Sequence, residues 1–166
     1  MSRAVMISIQ PKWCELIVNG KKTIEVRKTK PKLETPFKCY IYCTASKKSH
    51  DVLEIPSVNG SVYTANGMVI GEFTCDRIYQ YSTANVEGID ISDEDMEKMS
   101  CLNRLELEEY ELSAEAKDFE VYRLGLYCWH ISDLKIYNDP LDLFELYRDG
   151  LPLIRPPQSW CYVEEI

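Results

Sequence analysis

Residues 5–9 alternate as a short strand, and Pro11 follows where its missing N–H suits the first turn of a helix. Trp13, Leu16 and Ile17 then stand at i, i+3 and i+4, one apolar face of an amphipathic helix of about ten residues that Gly20 ends. Thr23-Ile24-Glu25-Val26-Arg27 switches to period two, a strand with Ile24 and Val26 toward the core and Thr23, Glu25 and Arg27 on the other face. Cys39-Tyr40-Ile41-Tyr42-Cys43 is apolar on both faces, so a doubly buried strand or a barrel wall is expected. Residues 44–67 are a polar loop with Asn-Gly turn signals, and residues 68–81 a long strand in which Gly71 marks a bend or bulge. Helix starts are expected at Ser92, before Asp93, Glu94 and Asp95, and at Ser113. Residues 122–129 return to strand, 141–147 form a short helix or turn, and 151–163 an extended, proline-rich close.

This order is not the regular alternation of a parallel doubly wound sheet. It predicts an α+β chain: a small mixed or antiparallel barrel with flanking helices, one domain over residues 1–166, and residues 87–120 as an acidic helical insertion. At 166 residues the chain is long enough for a proper core. No run approaches the roughly 18 apolar residues of a membrane span, and the first residues lack a signal-peptide pattern, so a cytoplasmic protein is expected. Seven cysteines without CxxC spacing fit small core side chains in a reducing compartment. Cys39 and Cys43 stand four apart inside an apolar strand-like run, where zinc sites usually announce themselves by tighter ligand pairs, and no metal or other cofactor is expected.

Charge changes the picture. The formal total is −8, yet residues 1–50 carry eleven Lys/Arg against three Glu, a net of +8. Residues 51–166 hold eight bases and 24 acids, a net of −16, and thirteen of those acids lie within residues 87–120. Binding follows the local field, so a basic N-terminal third remains compatible with a polyanionic partner. Solvated faces kept for solubility are the alternative.

The segment Gly20-Lys21-Lys22-Thr23-Ile24-Glu25-Val26-Arg27 contains all four fixed positions of a Gly-x-Lys-x-x-Glu-x-Arg pattern behind a short amphipathic helix. In this it resembles the ASCH family. The likeness continues through Tyr40-Ile41-Tyr42, Val69-Ile70-Gly71-Glu72-Phe73 and Tyr127-Cys128-Trp129. The ending, from Arg155 to Val163, is similar to a short bacterial and phage-borne subset. The resemblance implies a PUA-like barrel with a cleft beside the motif strand and a role linked to RNA or nucleotides. Some branches of that family are hydrolases, a nucleoside amidohydrolase and a ribonuclease among them. The amidohydrolase branch has a nucleophilic Thr where Glu25 stands here, so that chemistry does not carry over.

Arg27 offers a planar fork to phosphate or carboxylate, and Lys22 a movable point charge. Glu25 can accept from the amino edge of a base, or serve as a general base. The plain alternative is an i, i+2 Glu–Arg pair on a strand surface, worth little. For stacking on a base the candidates are Trp13, Trp129 and Trp160; Trp13 and Trp129 fit core positions better, and Trp160, in the extended tail, fits a cleft wall. His130 is expected as a hydrogen-bonded structural residue. The leading reading is an RNA- or nucleotide-binding module with a pocket of Lys12, Trp13, Lys22, Thr23, Glu25, Arg27 and Trp160. Basic residues at 12 and 21–32 meet phosphates in that reading. The second is a metal-independent hydrolase of a modified nucleoside or single-stranded RNA, with Glu25 as base and Lys22 stabilising developing charge. The third is a phage-associated factor that meets a protein partner through residues 87–120.

Overall fold

The computed structural model of the protein describes residues 2–45, 51–84, 86–113 and 125–166. The chain opens with β1 (Arg3–Ile9), α1 (Pro11–Val18), β2 (Ile24–Arg27) and β3 (Phe37–Cys43). A small hairpin of β4 (Glu54–Pro56) and β5 (Val62–Thr64) leads into the long β6 (Val69–Tyr81). Two acidic helices, α2 (Asp93–Ser100) and α3 (Arg104–Leu112), precede β7 (Leu126–Leu141). A 3-10 turn at Leu143–Glu145, a second hairpin of β8 (Tyr147–Arg148) and β9 (Leu151–Pro152), and β10 (Trp160–Glu164) complete it.

Six strands form the main sheet in the order β10-β1-β3-β6-β7-β2. All neighbours are antiparallel except β1 and β3, which run parallel and are joined by a crossover through α1 and β2. Period-two alternation sends Val5, Ile7 and Ile9 of β1 and Cys39, Ile41 and Cys43 of β3 to one face, where Cys14 and Ile17 of α1 and Trp129 of β7 complete the main core. Ala4, Met6, Tyr40 and Tyr42 point the other way into a second cluster with Leu146 and Val163. Both faces are therefore buried, as the unbroken apolar run of β3 predicted. Five cysteines, at 14, 39, 43, 75 and 128, are small buried core side chains.

The outer face of β2 founds a third cluster. Ile24 and Val26 pack with Tyr81, Leu126 and Cys128 under Met96 of α2 and Leu107 of α3. Ser92 caps α2 by accepting from the Asp95 amide, with Asp93, Glu94 and Asp95 in the first turn. A helix that the sequence reading did not single out, α3, is capped by Asn103, whose side chain forms a capping box with Glu106. Ser113 ends that helix, and residues 114–124, where the expected helix and the first part of the expected 122–129 strand fell, lie outside the described residues. Residues 44–67, expected as loop, hold the β4–β5 hairpin.

The expected barrel is met by a coiled sheet whose ladder does not close: β10 and β2 remain edges in backbone pairing. Register shifts interrupt the β6–β7 ladder at three places, and each adds local twist. The coiling brings β2 and the turn after it within side-chain reach of β1 and β10. Arg27 Nη2 donates to the Ser8 carbonyl at 2.8 Å, Trp160 Nε1 to Thr29 Oγ1 at 2.9 Å, and the Lys32 amide to the Tyr162 hydroxyl at 2.8 Å. One shift falls at Gly71, where β6 lies so close to β7 that a Cβ would collide with the Lys135 carbonyl and the Ile136 backbone. Gly71→Ala is expected to destabilise the protein by about 1–3 kcal/mol, read as a lowered urea midpoint, because backbone on both sides leaves little room to yield.

Candidate functional site

Gly20 adopts a left-handed φ of 73° just past α1, and the amides of Lys21 and Lys22 turn back to the Leu16 carbonyl. Lys22 thus precedes the first ladder residue of β2, and strand parity does not fix its direction. Its Nζ donates to the Ser100 carbonyl at the end of α2 at 2.7 Å and lies 3.4 Å from Glu25 Oε2. Glu25 stands directly opposite Trp129 in the β2–β7 ladder, so its carboxylate points to the main-core side of the sheet. There Arg27 Nη2 donates to Glu25 Oε1 at 2.9 Å and to the Ser8 carbonyl, while Nη1 reaches Ser159 Oγ at 3.3 Å.

These three ionised side chains are only 3%, 6% and 8% exposed for Lys22, Glu25 and Arg27. Their own pairing leaves demand unmet. Glu25 Oε2 has its ion pair with Lys22 but no hydrogen-bond donor, and Arg27 Nε has no acceptor. Buried polar atoms without partners are rare and ask for an explanation.

A cavity of about 580 Å³ opens beside the trio. Lys12 and Trp13 of α1 form part of its wall, with Glu106, Glu109 and Tyr110 of α3 and Gln158 from the stretch before β10. Trp13 is half-buried, with Lys12 Nζ 4.3 Å and Lys22 Nζ 5.2 Å from its ring centroid, both in cation–π range. A second cavity of about 440 Å³, beside Lys28, Lys30 and Tyr127, is lined by no buried charged side chain.

A family model for the ASCH domain matches residues 7–122, a stretch spanning the charged trio, α1 and both acidic helices. The chain belongs to the ASCH domain family. Among solved structures, a Tyr-to-Phe variant of the ASCH protein from Zymomonas mobilis is 19% identical and superposes with a TM-score of 0.60, over 98% of this chain and 91% of that one. A Ser-to-Ala variant of the same protein gives 18% identity and 0.59 over 98% and 89%, and the unaltered protein 18% and 0.58 over 98% and 88%. At that identity the likeness establishes the fold. No curated protein matches the chain.

This ASCH domain gathers Lys12, Trp13, Lys22, Glu25 and Arg27 at one cavity. Trp13, which fitted the core better by pattern, does both: partly buried, it packs against the main core and also lines the cavity, beside the buried stripe of Pro11, Cys14 and Ile17. That stripe is set one residue off the expected one, about 100° of helix rotation, which leaves Trp13 at its edge. Thr23 and Trp160 stand elsewhere. Thr23 ties the backbone together, its amide donating to Met99 of α2 and its carbonyl accepting from Ile131 of β7. Trp160 bridges the sheet edges, bonded to Thr29 and packed 5.9 Å from Trp129, which is fully buried. His130 bonds Asp76 at 2.7 Å. Burial pushes the Asp76 carboxyl upward, but hydrogen bonds with His130 and Ser132 outweigh it and hold it below its ordinary range.

Sequence reasoning missed the α3 wall. Glu106, Glu109 and Tyr110 fall at i, i+3 and i+4 and so share a helix face. That spacing was available once Asn103 was seen as the cap.

The trio carries a net of +1. Glu25→Gln leaves two cations facing each other, whereas Arg27→Gln leaves a neutral Lys22–Glu25 pair. Glu25→Gln is therefore expected to be the more destabilising, at about 3–5 kcal/mol, with Arg27→Gln costing less. Urea denaturation of both variants checks the order.

Proposed function

We propose that this domain binds RNA or a nucleotide by receiving one base in the cavity beside Lys22, Glu25 and Arg27. The observation that carries this reading is the buried charged trio with an undonated carboxylate oxygen, opening on a cavity with an indole in its wall. Three charged side chains held out of water, with hydrogen-bonding capacity in reserve, suit a recognition site better than a structural ion pair.

Each part has a physical task. Glu25 accepts from a base amino group, as carboxylates accept from the exocyclic amine of cytosine. Trp13 supplies a stacking surface, worth about 1–3 kcal/mol per base in single-strand binders. Lys12, which covers that ring, is exposed on a flexible stem and moves aside at small cost. Outside the cavity, Lys21, Lys30 and Lys32 are exposed on the same segment and meet the phosphates of a strand.

Calorimetric titration with the four ribonucleosides and a short single-stranded RNA tests the reading. At least one is expected to saturate a single site. Glu25→Asp, which keeps the charge but withdraws the carboxylate, and Trp13→Leu are each expected to weaken it by about tenfold or more. RNA affinity, but not nucleoside affinity, should fall steeply with salt. The ligand is expected to be recovered unchanged, which separates binding from hydrolysis. Absence of saturable binding, or undiminished affinity in both variants, would sink the reading.

A further inference from the structure

We propose that the cavity face of α3 is the specificity element of this site, selecting a donor-rich, uncharged ligand of nucleoside size over the same ligand carrying a terminal phosphate. The inference rests on the base-binding reading and narrows its ligand class.

The charges around the cavity balance. Lys12, Lys22 and Arg27 face Glu25, Glu106 and Glu109, three cations against three carboxylates. They are not equally available. Lys22 is committed to the Ser100 carbonyl and Glu25, and Arg27 to Glu25, Ser159 and the Ser8 carbonyl. Both are almost wholly buried. Glu106 and Glu109 of α3 are exposed, and among the described residues the Glu109 side chain has no hydrogen-bond or ion-pair partner. Glu106 uses Oε2 to accept from the Asn103 amide and keeps Oε1 open. At the start of α3, Asn103 Oδ1 takes the Glu106 amide.

A ligand entering this cavity therefore meets bound cations behind and unspent carboxylates in front. Behind them Glu25 lines the floor, its Oε2 buried, paired with Lys22 and without a hydrogen-bond donor. All three acidic groups ask for N–H or O–H donors, which the amino groups and ribose hydroxyls of a nucleoside supply. A phosphate dianion placed against the cavity face of α3 would meet like charge, and of the three cations lining the cavity only Lys12 is not already held by a hydrogen bond or ion pair among the described residues.

The test measures affinities of the four ribonucleosides and their four 5′-monophosphates, at one fixed low ionic strength, for the unaltered protein and for Glu109→Lys. Glu109 is exposed on the helix, and an unchanged melting temperature verifies that the variant folds. The unaltered protein is expected to favour the best-bound nucleoside over its monophosphate by about fivefold or more, and Glu109→Lys to shift that ratio toward the monophosphate by about tenfold. A monophosphate bound more tightly by the unaltered protein, or a ratio that Glu109→Lys leaves unchanged, overturns the role of α3 while base binding stands. Failure of all eight compounds to bind also overturns it, and the base-binding reading then survives only if the RNA oligomer still binds.

Discussion

Arg27 joins what the backbone leaves apart. From β2, at one edge of the six-stranded sheet, its guanidinium reaches the Ser8 carbonyl of β1 and the Ser159 hydroxyl before β10, near the other edge. The same group pairs with Glu25, so the contact that helps draw the coiled sheet together also builds the cavity floor. Burying a guanidinium is unfavourable unless its donors are used. A planar fork with five donors meets that condition from several directions at once, which a lysine does not.

The acidic helices are coupled to the motif through its other cation. Lys22 donates to the last carbonyl of α2, where the negative end of a helix favours a cation. The Thr23 amide joins Met99, and Ile24 and Val26 bury their side chains under Met96 and Leu107. A buried Glu111 on α3 accepts from Ser82 and Thr83 at the end of β6 and secures the far side. The motif strand is thus gripped on both faces, by charge on the inner one and by apolar packing on the outer one. That placement holds the α3 carboxylates against the cavity.

The charge division along the chain acquires a geometric meaning. The basic first third and the acidic middle meet at the cavity, so neither field acts alone there. Surface lysines on the segment after α1 present a positive strip to solvent, while the cavity itself is balanced. A strand of nucleic acid and a single base would sense different fields from this protein.

Local patterns of the chain determined much of the fold. Period two gave β1 and β2, the unbroken apolar run gave β3 and announced burial on both faces, Pro11 and Gly20 bounded α1, and Ser92 capped α2. The motif named Lys22, Glu25 and Arg27 together. Tertiary structure decided the rest, because it depends on residues far apart in the chain. The inward turn of Glu25 follows from its pairing with Trp129, and the direction of Lys22 from a carbonyl 78 residues away. The wall of Glu106, Glu109 and Tyr110 needed α3 folded over β2. Trp160 carries the same indole as Trp13, yet one spans the sheet edges and the other lines the cavity. Side-chain type sets what a residue can do, and only long-range packing sets what it meets.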